Sequence, residues 1–321
     1  MNSSPNDRIM WARRFTLGDW NTRSSVRSSE HCYLLPSDLN EQLETRYWFP
    51  PAFLFYLNHP AIKAKNKAIA QRLSANHLVH FLDYTTLLEH RIVNRSVEII
   101  AHDELGIAIP TRMKTAALQL YTDEGYHALF SSNLAEQIAD LYGMTDRPVM
   151  PLRITRLNEL IDRTSTKHKA LVWFLVGFVS ETIIAKELLE ACRDVLVSTV
   201  QEMLRDHLAD EARHSRYFCE VFHYFWQNFS GVQRAEAAKL LIEILLIFFE
   251  TDECWISGSL RSVGLSEKSV AQIIACMSDE HARLLRIRSS ASATFQALKE
   301  AGFFDLPTNR QLFSQAGLID E

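Results

Sequence analysis

Between residues 61 and 103 the chain has no proline and no glycine, and its apolar residues recur at helical spacing. Pro60 stands just before, where a helix favours a proline in its first turn. Gly106 and Pro110 end the run, and a second helix is expected over 111–142, closed by Gly143. Pro148 and Pro151 mark a connection to a short helix at 154–163. Long helices follow at 166–197 and 198–229, with further ones at 232–256 and 266–286. Weaker helical character at 291–300 leads into a polar tail. Four long amphipathic helices must bury their apolar stripes against one another, so the chain reads as all-α, a four-helix bundle with additional flanking helices. No stretch alternates with period two for long enough to make a sheet, and 10 glycines and 9 prolines in 321 residues leave little punctuation for one. The expected organisation is an irregular N-terminal arm packing on the bundle (1–58), the bundle itself (59–290), and a C-terminal helix and tail (291–321).

Two of these helices carry the same signature. Asp123-Glu124-Gly125-Tyr126-His127 and Asp210-Glu211-Ala212-Arg213-His214 are both Asp-Glu-x-x-His. Residues i and i+3 share a helix face, so each copy aims one carboxylate and one imidazole the same way. Each copy also has a glutamate on the preceding helix, Glu89 before the first and Glu181 before the second. Glu181 is embedded in Val-Trp-Phe-Leu-Val-Gly-Phe-Val-Ser-Glu-Thr-Ile-Ile-Ala, where an unpaired carboxylate would be expensive. Glu, Glu-x-x-His, then again Glu, Glu-x-x-His is the ligand set of ferritin-like di-iron and di-manganese carboxylate bundles. A single Glu-x-x-His means little: Glu220 and His223 form one, but His223 points about 180° away from His214 at 100° per residue.

Four carboxylates neutralise two divalent ions, and mixed imidazole and carboxylate ligation suits iron or manganese better than zinc. Asp123 and Asp210 are expected behind the ligands, each accepting the imidazole N–H of the histidine on the other helix and fixing its tautomer. Arg213 is placed to pair with one of them, while Arg205 reads as solvated. His207 precedes Glu211 by four residues and His214 by seven, which puts a third histidine on the same face.

Several function classes fall away on composition. A net charge of −5 and a pI near 6.2 give no electrostatic footprint for nucleic acid or an anionic membrane surface. No apolar run approaches the ~20 residues of a membrane span. Five widely spaced cysteines without a Cys-x-x-Cys pair predict free thiols in a reducing, cytoplasmic setting. Arg8, Arg13 and Arg14 among early serines faintly suggest a transit peptide, but Asp7, Asp19 and two tryptophans oppose that reading.

The residues resemble a known family at this point. Glu89, Glu124, His127, Glu181, His207, Glu211 and His214 match, in order and spacing, the seven ligands of the non-haem diiron N-oxygenases typified by p-aminobenzoate N-oxygenase. Val-Ser-Glu-Thr-Ile-Ile and Asp-Glu-Ala-Arg-His also look similar, and the likeness runs from about Trp20 to the helix after 232. The resemblance implies two Fe ions per chain, O2 as co-substrate, and a peroxo-diferric species that oxidises an amine to hydroxylamine, nitroso or nitro. It further implies an external electron donor, either a reductase or a ferredoxin, and a role in natural-product biosynthesis. The amine is a small molecule or is tethered to a carrier protein.

Tyr84 and Thr85, one helical turn before Glu89, are candidates for the substrate pocket. The resemblance implies a basic residue near this turn to meet an arylamine's carboxylate. The residues between Tyr84 and Glu89 read Thr-Thr-Leu-Leu, which shifts the expectation towards aliphatic, amino-acid-derived or carrier-bound amines. His77, His80 and His90 lie mostly off the face of Glu89 and read as structural or exposed. Two alternatives remain at this stage: another diiron oxidase, such as a C–H hydroxylase or desaturase, and a ferritin-like iron-binding protein. The apolar helix at 236–250 suggests a homodimer unless another chain segment covers it.

Overall fold

The computed structural model describes residues 15–28, 32–147, 150–277 and 279–320. Asn66 begins the first long helix, its side-chain oxygen accepting the Ile69 N–H at 3.2 Å. That helix, α1 (Lys67–Leu87), passes through a π-helical turn (Leu88–Val93) into α2 (Asn94–Ala101). In that turn the Asn94 N–H donates to the carbonyl of Glu89, five residues back. Next come α3 (Thr111–Tyr142) and α4 (Leu152–Arg163). Gly143 closes α3 at φ 59°, the left-handed conformation that a side chain would resist. The remaining long helices are α5 (Lys169–Ala191), α6 (Ser198–Asn228) and α7 (Gly231–Phe248). Four shorter ones are α8 (Glu253–Ser262), α9 (Glu267–Met277), α10 (Glu280–Ser290) and α11 (Ser292–Glu300). The last is α12 (Pro307–Gln315). No strand occurs among the described residues, only an isolated parallel bridge between Tyr47 and Leu196.

Two apolar clusters fill the bundle, one around Val97, Leu120, Phe174 and Phe218, the other around Leu78, Leu134, Leu188 and Met203. Following each chain segment from one cluster to the other gives the topology. The segment α1–α2 and helix α6 run from the second cluster to the first; α3 and α5 run the opposite way. Antiparallel neighbours α2 and α3 need only a short loop, as do α5 and α6. Parallel α3 and α5 need a return across the bundle, which the segment holding α4 provides. Four long helices with one long crossover form the ferritin-like bundle.

Helices α2 and α5 cross closely at Gly177. A Cβ there would lie 2.2 Å from the Ser96 hydroxyl, so only glycine fits.

Several boundaries differ from the sequence expectation. The first run is interrupted at 64–66 before Asn66 restarts it. The third ends at Ala191, because Leu196 and Val197 lie alongside Tyr47, whose carbonyl accepts the Val197 N–H at 3.0 Å. The expected helix 232–256 divides because the Asp252 carboxylate caps a new one at the Trp255 N–H, 2.9 Å away. That over 266–286 divides likewise at Asp279, which caps the His281 N–H. The tail folds: Phe303, Phe313 and Leu318 are buried, and α12 packs on α7. The apolar face of 236–250 is therefore covered by α4, α5 and α12 of the same chain and gives no ground for a second copy. Residues 1–14, with Arg8, Arg13 and Arg14, lie outside the described residues.

Candidate metal centre

Between the two apolar clusters lies a layer of charged side chains. Glu89 comes from the π turn, Glu124 and His127 from α3, Glu181 from α5, and His207, Glu211 and His214 from α6. All seven are buried. Each helix contributes to the layer where its own apolar stripe changes cluster, so the bundle aligns the polar positions while burying the rest.

Two groups stand out. In each of Glu89/His127/His207/Glu211 and Glu124/His127/Glu211/His214, the candidate donor atoms all lie within 4.8 Å of one another. His207 Nε2 is 2.9 Å from Glu89 Oε1 and 3.4 Å from Glu211 Oε1. His214 Nδ1 is 2.8 Å from Glu124 Oε1 and 3.6 Å from Glu181 Oε2. His127 Nδ1 is 3.3 Å from Glu211 Oε1, which places Glu211 in both groups.

Apart from a hydrogen bond of 3.2 Å between His214 Nδ1 and Glu211 Oε1, these atoms converge without satisfying one another. Both carboxylate oxygens of Glu89, Glu124 and Glu181 lack a hydrogen-bond partner, as do Glu211 Oε2, His127 Nδ1 and His207 Nε2. Orphaned buried acceptors at this density are costly unless cations fill the space between them. Four carboxylates balance two divalent ions, and the carboxylate and imidazole donor set suits iron. The residues present therefore fit a pair of metal ions.

The electrostatics agree. Burial, with repulsion from Glu211, pushes the Glu124 carboxyl up to about 7 despite its contact with His214. Burial and the same repulsion hold Glu181 well above the usual carboxylate range. Burial opposes protonation of His207, yet the Glu89 carboxylate beside it carries the ring up to about 9. In His127 and His214, too, neighbouring carboxylates outweigh burial and raise the rings well above their ordinary value. Without metal, protons occupy the places that cations would take.

Behind this layer the two aspartates cross between helices. Asp123 Oδ2 on α3 lies 3.0 Å from His214 Nε2 on α6, and Asp210 Oδ2 on α6 lies 3.0 Å from His127 Nε2 on α3. With Nε2 donating to an aspartate, each ring turns Nδ1 towards the glutamates. The Arg213 guanidinium pairs with Asp210. Glu220 instead accepts the Phe15 N–H, outside the layer.

A cleft of about 460 Å³ opens between α1, α4, α5 and α8, with Phe49, Phe81, Tyr84 and Trp255 among its walls and none of the seven layer residues lining it. Tyr84 lines it; Thr85 does not, and its fully buried hydroxyl has no partner. His77 and His80 also line it, His80 stacked on Trp255 at 4.0 Å, and burial drives both rings down to about 3, so they are neutral. His90 is exposed.

The sequence reading missed Arg153. It enters the cleft from the first turn of α4, its guanidinium 4.6 Å from the Tyr84 ring centroid and 5.5 Å from that of Phe248. Its charge is balanced in part by Glu187 of α5, which lines the same cleft. The resemblance implies a basic residue on the Glu89 helix, whereas the cation arrives from the crossover, 69 positions beyond Tyr84. No local spacing could have shown that.

Comparison with individually curated proteins finds no match. The family described as P-aminobenzoate N-oxygenase AurF matches residues 25–302, which span the arm from Ser25, all the long helices and α11. With a match over most of its length, the chain belongs to the p-aminobenzoate N-oxygenase AurF family of diiron N-oxygenating oxidoreductases.

Proposed function

We propose that this chain is an O2-dependent N-oxygenase acting on an amine that bears an anionic group. The observation that supports the reading most is the buried layer of four carboxylates, three of them without a partner at either oxygen, and three imidazoles inside a bundle of this family. Glu89, Glu124, His127, Glu181, His207, Glu211 and His214 would hold two iron ions. Those ions, when bound, supply the chemistry that turns R–NH2, O2, two electrons and two protons into R–NHOH and water. Repetition of the step would give nitroso and nitro products. The electrons come from an external donor, a reductase or a ferredoxin, and the biological setting is natural-product biosynthesis.

The remaining work belongs to the chain. Asp123 and Asp210 orient the histidines, and the apolar clusters on either side exclude water. Arg153 offers an anionic substrate group a permanent cation in the cleft, with aromatic walls for a ring and neutral His77 and His80 for polar contact. The missing base between Tyr84 and Glu89 thus gives no argument against an aminobenzoate, since a cation reaches the cleft from α4.

Anaerobic Fe(II) loading, addition of a chemical reductant and exposure to 18O2 with 4-aminobenzoate and with aniline test this reading. The expected product is N-oxygenated, carries the label, and forms faster from the acid. Labelled oxygen on ring carbon would move the chain to the C–H hydroxylases. Iron oxidation with no labelled product from either amine would contradict the N-oxygenase reading for this substrate class.

A further inference from the structure

The N-terminal arm reaches the aspartates behind the ligand layer. Its two short helical turns, Trp20–Arg23 and Ser25–Ser28, lie against α3 and α6. The Trp20 indole N–H is 2.9 Å from both carboxylate oxygens of Asp123, and the Ser24 hydroxyl donates to Asp123 Oδ1. One residue later the Ser25 backbone N–H is 3.1 Å from Asp210 Oδ2, and its hydroxyl lies 3.3 Å from the Asp206 carbonyl. Ser24, Ser25, Asp123 and Asp210 are all buried. The arm segment from Trp20 to Ser25 therefore holds both aspartates that brace the histidines.

The two aspartates are held differently. Asp123 is fixed by two arm side chains, those of Trp20 and Ser24. Asp210 is fixed by a backbone N–H and by Arg213, neither of which depends on an arm side chain. Asp123 braces His214, which belongs to the Glu124/His127/Glu211/His214 group and not to the other.

Resting on the two-ion reading above, we infer that Trp20 and Ser24 are positioning residues for one metal ion of the pair, acting through Asp123 on His214. Loss of their hydrogen bonds frees the Asp123 carboxylate to rotate, and His214 then turns its Nδ1 away from the glutamates. The ion at Glu89/His127/His207/Glu211 keeps its brace, because Asp210 and His127 are untouched. Outer supports of this kind typically change metal affinity by about 10- to 100-fold.

The test uses the full chain loaded anaerobically with two equivalents of Co(II), read by visible absorbance and by release to a chelator. Wild type should release its two ions at rates that define the reference. Trp20→Phe and Ser24→Ala should each release one ion about tenfold faster or more, and alter the absorbance assigned to that ion alone. The second ion should leave at the wild-type rate, and Ser24→Thr, which keeps the hydroxyl, should restore the first. Far-UV circular dichroism identifies any variant that has lost its fold, and Ser24→Ala alone, the smaller change, then decides. Unchanged release in Ser24→Ala, or equal acceleration of both ions with no rescue by threonine, would overturn the inference. A wild-type chain that binds no two Co(II) ions would instead overturn the two-ion reading beneath it.

Discussion

Asp123 and His214 are separated by 91 positions in the chain and by 3.0 Å in space, and Asp210 with His127 repeats the relationship in reverse across the same two helices. Each Asp-Glu-x-x-His copy thus supplies a glutamate and a histidine to the layer and an aspartate to the other copy's histidine. The doubled motif is one interlocked unit, and α3 cannot shift along α6 without breaking both braces.

The metal-free protein should lose stability as pH rises. Glu124 and His207 have folded-state values of about 7 and about 9, above their ordinary ones. The stability they contribute is complete below their unfolded values and is lost as pH climbs through the folded ones. His127 and His214 shift in the same direction. The contribution of Glu124 should therefore be lost between about pH 4.5 and pH 7 and that of His207 between about pH 6.5 and pH 9, so the Tm of the metal-free chain should fall across this range, whereas that of the metal-loaded chain should not, because metal has displaced the protons. Parallel curves for the two forms would contradict this account of the layer.

Arg153→Leu should weaken an acid-bearing amine by about 10- to 100-fold in KM, the value of about 1.5–3 kcal/mol for a hydrogen bond to a charged group. A neutral amine should be unaffected, and Arg153→Lys should recover part of the loss. Steady-state kinetics on the two substrates checks this, and equal losses on both would remove Arg153 from substrate binding.

Gly177→Ala should destabilise the bundle by about 1–3 kcal/mol, since the added methyl meets the Ser96 side chain where α2 and α5 cross. Chemical denaturation measures it. The double variant with Ser96→Gly should recover much of the loss, and no recovery would place the strain elsewhere.

His207→Ala should cost one metal ion and spare the other. His207 belongs to the Glu89/His127/His207/Glu211 group alone, whereas Glu211 and His127 belong to both. Competition with a chelator should show one ion weakened at least tenfold. Two ions held as in wild type would exclude His207 as a ligand.

The long helices were legible because long runs without proline carry apolar residues at helical spacing, although α5 buries every residue from Phe174 to Ile184 and shows its length rather than a face. The members of the charged layer were legible because i, i+3 and i, i+4 spacing ties Glu124 to His127 and Glu211 to both His207 and His214 on one face. The missing parts are those that no local period encodes. The breaks at Asp252 and Asp279 turn on single capping carboxylates within otherwise helical runs. The π turn at Glu89 is a backbone adjustment with no residue signature. Trp20 and Ser24 reach Asp123, and Arg153 reaches the cleft, from distant segments through tertiary packing alone.

The most direct measurement is iron per chain after anaerobic Fe(II) loading and desalting, for wild type and for Glu124→Ala. Two irons per wild-type chain, and markedly less in the variant, is the predicted result. No stoichiometric iron in the wild type, or full occupancy in Glu124→Ala, would contradict the assignment of the buried layer as a dimetal centre.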